Sequence, residues 1–407
     1  MGEVSRTDAR QLFEVARDRA PRVREARSRL QRAKARMKGA KILNRHNPQI
    51  KAGAERFTVD DFRFGESKVG IFQRFPIAGD RAARVRAAKA FKVRLESRLE
   101  EVRWEVHVDV HRLYNRARID LRRLEMLWLD RRFARTLAEV ARRKFAAGQI
   151  PEAAKLLAEG ESARAREEFL RAREQLRSRL RRLVEVSGWK GDALPLPEGE
   201  LPEPTVSTGR QSLLETARSS YPPIERQKAK VEAARAELEL EKRRAWPDPG
   251  IGLFAKVKDP QAGENAVGLV GQLSLPIPVW NQNTGARAAA SAAVDVRKTK
   301  LQTIRQRLTT RVRRAAEQFR SADRRVEVFE ERVVPAFERE LKLLRKGYEA
   351  GQFDIDEVAV SQRQLLSNRR RSLKARRAYV EAGAKLEQLI GREFWSEPSL
   401  RDSGGSR

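Results

Sequence analysis

The sequence predicts a mainly α-helical fold with a small β part, in which one structural unit is duplicated in tandem. Motifs in the first half of the chain recur about 200 residues later. Two stretches of about 60 residues have helical periodicity, and two pairs of short segments alternate between apolar and polar residues. Because a repeat of this length specifies the same supersecondary unit twice, it constrains the fold more than any single motif does.

The duplication predicts two structural repeats, 1–189 and 211–395, joined by a linker at 190–210 and followed by a disordered tail at 396–407. In each repeat we expect a helix, two strands, a very long helix, a hairpin turn and a further helix. Equivalent positions lie 200 to 203 residues apart. The matched motifs are 12–17 with 213–218, 47–50 with 248–251, 75–77 with 275–277, 144–150 with 347–353 and 183–188 with 386–391.

The first repeat opens with a predicted helix over 8–45, which contains Pro21. Strands are predicted at 48–58 and 67–76, and again within 251–257 and 267–275. In the third of these, Ile251, Leu253 and Val257 share one face, while Phe254 and Lys256 share the other. Each strand has about ten residues, the length of a tilted membrane crossing. The polar segments 59–66 and 258–266 are predicted as loops.

Two very long helices follow the strand pairs, over about 84–146 and 287–349. At 1.5 Å per residue, each would be about 90 Å long. The apolar stripes run from Val106 to Trp128 and from Val326 to Tyr348, each covering 22 residues in six steps. This period of about 3.67 lies close to that of an undistorted helix, so it favours nearly straight helices packed side by side into a tube.

Each long helix is predicted to end at a tight hairpin turn. In the first, Gly148 ends the helix and Pro151 occupies the first position of the next one. In the second, Gly351 ends the helix, and Asp354 with Glu357 resembles a capping box.

The composition excludes several classes of function. The formal net charge is +31, which predicts attraction to anionic surfaces. The chain has no cysteine and therefore no disulfide framework or thiol nucleophile. It contains no glycine-rich phosphate loop, H-E-x-x-H or G-x-S-x-G motif, so we expect no enzyme, no catalytic residues and no cofactor. The first residues have no apolar h-region, so no leader peptide is expected in the chain as written.

One pair of residues has metal-ligand spacing. His107 and His111 lie four apart on one predicted helical face, near Asp109, and such a pair can hold a divalent ion. The chain has only three histidines and three methionines. We therefore expect an ordinary packed or solvated pair, and no metal site.

The number of strands has a consequence for assembly. Four strands cannot close a barrel, and their edges would be unsatisfied in lipid. A dimer would supply eight strands and a trimer twelve. Because small barrels are filled by side chains, an open pore favours the trimer.

From about residue 8 to residue 394, the order of segments, the repeat and the turns resemble the TolC-type outer-membrane efflux family. The segments 75–84 (FPIAGDRAAR) and 275–285 (LPIPVWNQNTG) are similar to the strand-to-helix passages of its cation-efflux, Czc-type branch. The resemblance implies a homotrimer with a twelve-stranded β-barrel in the outer membrane and an α-barrel of long-helix hairpins in the periplasm. It also implies a periplasmic adaptor, an RND-type inner-membrane pump and contact with outer-membrane lipid.

The function implied is that of a passive exit duct, with divalent metal cations as candidate substrates. In the family, the hairpins form the periplasmic tip that meets the adaptor and gates the pore. The positions that match this tip are Phe145, Gly148, Gln149, Ile150, Tyr348, Gly351, Gln352, Phe353 and Asp354. The polar strand face, expected to line the upper pore, comprises Lys51, Glu55, Lys68, Arg74 and Lys256. Trp246 and Trp280 flank the second strand pair, where an interfacial aromatic belt would lie.

The basic charge leaves one alternative, a coiled-coil protein that binds nucleic acid or another anionic partner through its Arg-rich faces. Such a protein has no use for four alternating strands placed symmetrically in both halves. No groove-reading or base-stacking motif accompanies the charge. We therefore expect no nucleic-acid partner.

Overall fold

In a computed structural model of the 407-residue chain, residues 4–59, 62–199, 203–204, 209–258, 267–350, 352–353 and 355–396 are described. The first repeat contains α1 (Ala9–Arg19), α2 (Pro21–Ala40), β2 (Gln49–Val59), β3 (Phe62–Arg74), α3 (Asp80–Ala146) and α4 (Glu152–Ser187), preceded by β1 (Val4–Thr7). The second contains α5 (Arg210–Ser220), α6 (Pro222–Arg243), β6 (Gly250–Lys258), β7 (Val267–Ser274), α7 (Thr284–Val328), α8 (Val334–Glu349) and α9 (Ile355–Ile390). In each half, two helices precede a pair of strands, and a long helical segment and a further helix follow it.

The prediction of a single helix over 8–45 is wrong, because the helix is interrupted before Pro21. Ala20 has an extended backbone, with φ −52° and ψ 134°. Tyr221 has φ −68° and ψ 109° before Pro222, at the equivalent position of the second repeat. A proline ring disfavours the helical conformation of the preceding residue and suits the first position of a helix. The helix that follows Ala20 then ends at Ala40.

The first long helix, α3, is continuous over 67 residues. Its counterpart is interrupted by a π-helical turn over Phe329–Val333. The turn lies directly before Pro335, whose nitrogen has no hydrogen to donate to the carbonyl group one turn earlier. The missing hydrogen bond gives this interruption a local cause.

Four strands form one antiparallel sheet in the order β2-β3-β6-β7. The loop predicted at 59–66 is wrong, since Val59 pairs with Phe62 and the strands extend almost to the turn. In this segment Phe62 and Phe64 alternate with Arg63 and Gly65, which is a strand pattern that the polar residues obscured. Of the other predicted loop, residues 259–266 lie outside the described part of the chain.

Short strands were not predicted from the sequence. β1 pairs in parallel with β4 (Leu194–Pro197), which lies within the predicted linker. β5 (Glu203–Pro204) pairs with β8 (Trp395–Ser396). Residue 396 is therefore part of a strand, and residues 397–407 of the predicted tail lie outside the described residues.

The chain divides into two compact units, and each takes residues from both halves of the sequence. One unit comprises 1–25, 100–222 and 305–407, and the other comprises 26–99 and 223–304. The core of the first includes Leu12, Tyr114, Leu183 and Leu386, and a cluster in the second contains Ala83, Ala87 and Leu240. Among the helices of the described residues, none has the length and apolar character needed to cross a membrane.

Candidate functional site

The register of the sheet places the five predicted pore-lining residues on one face. Lys51 lies opposite Gly70, and Glu55 lies opposite Glu66. Residues directly opposite in an antiparallel pair point to the same side, and side chains alternate along each strand. Lys68 pairs with Lys256, and Arg74 pairs with Gly250. We call the face that carries Lys51, Glu55, Lys68, Arg74 and Lys256 the polar face.

Two phenylalanines lie on the polar face and cover glycines, an arrangement missed from the sequence. Phe72 and Phe254 are buried, with 3% and 4% of their surface exposed. A Cβ atom at Gly250 would lie 2.2 Å from the Phe72 ring, and one at Gly252 would lie 2.5 Å from the Phe254 ring. The glycines therefore provide the space in which the rings pack across the strands. The alternation of Gly with apolar residues in β6 was the available signal.

Ion pairs neutralise part of the positive charge on the polar face. The Lys68 ammonium lies 3.3 Å from the Glu55 carboxylate, and that of Lys256 lies 2.5 Å from Glu66. The Lys51 ammonium lies 3.6 Å from the centre of the Phe72 ring, in a cation–π contact. The face is therefore less basic than the net charge of the chain suggests.

The opposite face of the sheet is apolar and exposed. Its large side chains are Ile50, Val69, Ile71, Ile251, Leu253, Val257, Val267, Leu269 and Leu273, each between 49% and 81% exposed. Trp246 and Trp280 are also exposed, at 63% and 95%. Soluble monomers rarely expose an apolar surface this continuous, so the face is suited to lipid.

The two hairpin turns share one backbone hydrogen bond. Gly148 has φ +70°, and the Gln149 N–H donates to the Lys144 carbonyl oxygen at 2.8 Å. The Gln352 N–H donates to the Gly347 carbonyl oxygen, also at 2.8 Å. These bonds span five residues, as in a Schellman motif. In the first turn Pro151 is the residue before the helix, not its first helical residue as predicted, because α4 begins at Glu152.

The predicted tip residues that the structure describes are partly or fully exposed. Phe145 packs under the Lys155 ammonium, which lies 4.3 Å from its ring centre. The Phe353 ring occupies the space above Gly347, where a Cβ atom would lie 2.3 Å from it. Gln149 and Gln352 are exposed, and Ile150 is half-buried. Gly351, Asp354 and the side chain of Tyr348 lie outside the described residues.

His107 and His111 meet a carboxylate that the sequence did not indicate. The Nδ1 atom of His111 lies 3.1 Å from Oε1 of Glu387, which is 276 residues away on α9. Nε2 of His107 lies 3.8 Å from the same oxygen. Asp109, the predicted neighbour, instead accepts hydrogen bonds from Arg22 and Arg112.

A small sheet with one exposed apolar face and one polar face, joined to long helical hairpins, is typical of outer-membrane channels. The chain belongs to the outer membrane efflux protein family, whose model matches residues 12–189 and 213–392. The predicted fold class, with long-helix hairpins and four strands of the TolC type, is confirmed.

Several known proteins are similar to this chain over most of their length. The cobalt-zinc-cadmium resistance protein CzcC of Cupriavidus metallidurans is 25% identical over 348 residues, which cover 85% of this chain and 81% of CzcC. The Campylobacter jejuni CmeC outer-membrane channel has a TM-score of 0.76 at 13% identity, covering 97% of this chain and 88% of CmeC. The outer membrane protein VceC of Vibrio cholerae has a TM-score of 0.69 at 17% identity, covering 95% and 96%. The two structural likenesses show the fold.

Membership of this family gives the function in outline. The chain is the outer-membrane exit duct of a tripartite efflux system, a passive channel rather than an enzyme, with its helical part in the periplasm. This confirms the duct predicted from the sequence and replaces the alternative of a basic coiled coil that binds anionic partners.

Proposed function

We propose that this exit duct is a homotrimer that releases divalent metal cations, delivered by a periplasmic adaptor and an RND-type inner-membrane pump. The proposed substrate rests on the similarity to CzcC, a protein named for cobalt, zinc and cadmium resistance, across 85% of the chain.

The sheet supports assembly into a trimer. Among the described strands, β2 and β7 each pair on one side only. An unpaired edge in lipid costs several kcal/mol per unsatisfied backbone group, so the edges require partners from other chains. Three chains supply twelve strands, enough for a water-filled lumen, whereas an eight-stranded barrel is filled by its side chains.

The charges on the polar face are compatible with a cationic cargo. Lys68 and Lys256 are paired to carboxylates, so among the described side chains of this face Lys51 and Arg74 are the remaining positive groups. We place this face in the lumen, and we expect Lys51→Gln to shift ion selectivity toward cations, measured as the reversal potential of single channels in a planar bilayer. Lys190→Gln, which removes the same charge outside the sheet, is the control. Equal reversal potentials for both variants would contradict the lumen assignment.

The substrate is tested by tolerance. The chain is expressed with a cognate pump and adaptor in a strain that lacks its own duct. We expect the inhibitory concentrations of Zn²⁺, Co²⁺ and Cd²⁺ to rise several-fold, while those of organic antimicrobials stay unchanged. A rise for the organic compounds alone would exclude the metal substrate and leave the duct function intact.

We further propose that the two hairpins form the tip that contacts the adaptor and opens outward when the adaptor docks. Both turns end a long helix at the same relative position and share the same five-residue hydrogen bond. The side chains of Gln149 and Gln352 in these turns are exposed and therefore accessible to a docking partner. A gate needs such a low-stability element at the end of a rigid one.

The tip is tested with single cysteines, which report without background because the chain has none. Gln149→Cys and Gln352→Cys are expected to cross-link to the adaptor, and a bulky maleimide at either position should lower efflux several-fold. Ser178→Cys, on the exposed side of α4, is the matched control and should do neither. Efficient cross-linking from residue 178, with none from the turns, would overturn the assignment.

A further inference from the structure

We propose that His107, His111 and Glu387 form a resident binding site for a divalent transition-metal ion such as Zn²⁺, which ties α3 to α9. The site is separate from the proposed transport of metal cations, and its failure would leave the duct function untouched. It also differs from the sequence prediction of an ordinary histidine pair, because the third ligand became apparent only in the fold.

The three side chains converge from two helices within one compact unit. His107 and His111 lie one turn apart on the same face of α3. Glu387 projects from α9 and its side chain is fully buried, while those of His111 and His107 are 3% and 18% exposed. A pair of histidines at this spacing with a carboxylate from a second element is a recurrent zinc ligand set.

Two of the three separations between ligand atoms are close to those of an occupied site. One donor atom from each residue lies within 4.8 Å of the others. In a tetrahedral zinc site, with Zn–N bonds of about 2.0–2.1 Å, neighbouring ligand atoms are separated by about 3.3 Å. The His111–Glu387 separation of 3.1 Å already meets this value, and the His107–Glu387 separation of 3.8 Å exceeds it slightly. Side-chain rotations that bring the two imidazole nitrogens together would complete the geometry.

The charge and hydrogen bonding of Glu387 favour a bound cation. Its Oε2 is buried and has no hydrogen-bond partner among the described residues, which is costly for a carboxylate. The backbone N–H of Phe394 donates to Oε1 at 3.3 Å and orients the group. A cation bound by this carboxylate would compensate its buried oxygen.

The ligand types select the class of metal. Two imidazoles and one carboxylate suit Zn²⁺, Co²⁺ or Ni²⁺, whereas Mg²⁺ and Ca²⁺ prefer sites made of oxygen atoms. Glu393 is available as a fourth ligand, since its Oε1 lies 3.8 Å from Nε2 of His107 and its side chain is 72% exposed. A water molecule is the alternative fourth ligand.

Aromatic rings enclose the imidazoles and hold their orientation. The Phe13 ring lies 4.5 Å from His107 and 5.2 Å from His111. Trp104 stacks on His107 at 5.1 Å. Trp395 lies 6.2 Å from His111 and packs against Gly383, where a Cβ atom would be 1.9 Å from its ring. This apolar shell lowers the local dielectric and strengthens the interaction of the ligands with a cation.

The test uses the full chain in detergent, stripped of metal with a chelator. Co²⁺ is the spectroscopic probe and Zn²⁺ is measured by titration calorimetry. We expect one ion per chain, a tetrahedral Co²⁺ spectrum and a melting temperature raised by Zn²⁺. His111→Ala should lower the affinity at least tenfold. His46→Ala, which removes the remaining histidine of the chain, should leave binding unchanged.

Because His111 is buried, the His111→Ala variant can lose binding simply by misfolding, so a second variant is needed. His107→Gln changes the more exposed ligand and is checked for native helicity by circular dichroism. Loss of the Co²⁺ spectrum in a folded His107→Gln variant would support the site. The absence of saturable binding in the parent chain, or binding that His107→Gln leaves unchanged, would overturn it.

Discussion

At the scale of single residues, the last long helix of each repeat ends at a glycine in the left-handed conformation. Gly188 follows α4 with φ +71°, and Gly391 follows α9 with φ +68°. A Cβ atom at Gly188 would lie 2.5 Å from the Arg19 carbonyl oxygen, and one at Gly391 would lie 2.1 Å from that of Ser220. Each glycine therefore packs against the backbone at the break between the first two helices of its own repeat.

We predict that Gly188→Ala and Gly391→Ala each lower the free energy of unfolding by about 1–3 kcal/mol, because alanine is strained at positive φ and its methyl group would meet a backbone carbonyl. Denaturant unfolding in detergent measures the change. Gly160→Ala is the matched control, since Gly160 lies inside α4 with nothing near its Cβ position. It should raise stability by about 0.5–1 kcal/mol. A Gly188 variant as stable as the control would contradict the argument.

A pH-dependent prediction follows from Asp130 on α3. Burial raises the pKa of Asp130 more than the Arg370 charge lowers it, and Glu168 adds to the rise. A carboxyl group with a raised folded pKa contributes its full stability below its unfolded pKa of about 3.9 and loses it as pH rises through the folded pKa. Asp130→Asn removes this loss.

We therefore expect Asp130→Asn to melt at a higher temperature than the parent at neutral pH, by the equivalent of less than about 1 kcal/mol because the group is partly exposed. The difference should vanish near pH 3. Arg370 keeps an ion pair with Glu168 in the variant. Thermal melts followed by circular dichroism between pH 3 and 8 check this, with exposed Glu167→Gln as the control. A variant that is less stable than the parent at pH 7 would show that the Arg370 contact dominates.

The repeat showed from the sequence that Gly188 and Gly391 end equivalent motifs, but it assigned them no role. The contact of Gly188 with Arg19, or of His111 with Glu387, joins residues that are far apart in the chain. No periodicity encodes such a pair, because it depends on how helices pack.

At the scale of secondary-structure elements, one carboxylate joins three helices. Asp120 on α3 accepts a hydrogen bond from Arg179 of α4 and, at 2.7 Å, another from Arg377 of α9. Its side chain is only 4% exposed. Apolar packing surrounds this contact, with Ala117, Leu176 and Leu180 in one cluster.

We predict that Asp120→Asn destabilises the chain by about 1–3 kcal/mol, because it weakens two charge-assisted hydrogen bonds, while the partly exposed guanidinium groups of Arg179 and Arg377 stay solvated. Glu225→Gln, which breaks an exposed pair with Lys228, should change stability by less than about 1 kcal/mol. Unfolding in denaturant distinguishes them. Equal effects would mean that the Asp120 contact is as well solvated as a surface pair.

Elements with a strong periodic signal were predicted well. The long helices and the four alternating strands follow from patterns of 3.6 and two residues. The break at Ala20 was missed because the apolar pattern continues through Pro21, although the rule for residues before proline covers it. The pairing of β1 with β4 joins residues about 190 positions apart, and its short strands carry too little pattern to be recognised.

At the scale of the whole molecule, the proposed trimer depends on contact between β2 of one chain and β7 of the next. Ala52 and Leu269 are exposed on the apolar face of these two edge strands. We predict that the double variant Ala52→Cys, Leu269→Cys forms disulfide-linked trimers under oxidation. A second variant has the cysteine in β7 moved by two residues, which tests another register on the same face, since alternate residues of a strand share a face.

Denaturing electrophoresis gives the result as bands of one, two and three chains. The control is Ala52→Cys alone, which lacks the thiol on the other edge and should remain a single chain. Linked dimers without trimers in every register would contradict a three-fold ring and favour an eight-stranded pair.

The whole-molecule architecture was predicted more fully than its contacts. Strand number, strand length and the apolar alternation together required several chains, and the resemblance to a family supplied the number of chains in the ring. The net charge of +31 did not predict the chemistry of the polar face, because ion pairs between neighbouring strands such as Lys68–Glu55 depend on the register.

The two open edges of the sheet also determine how a defective copy behaves beside an intact one. A chain with a damaged β7 but a sound β2 can still join the proposed ring, and it leaves one seam open. If damaged and intact chains are made in equal amounts and mix at random, only about one ring in eight contains three intact chains. A single damaged edge is therefore expected to be genetically dominant. A chain that fails to fold does not enter any ring, so the intact chains still form about half the normal number of rings.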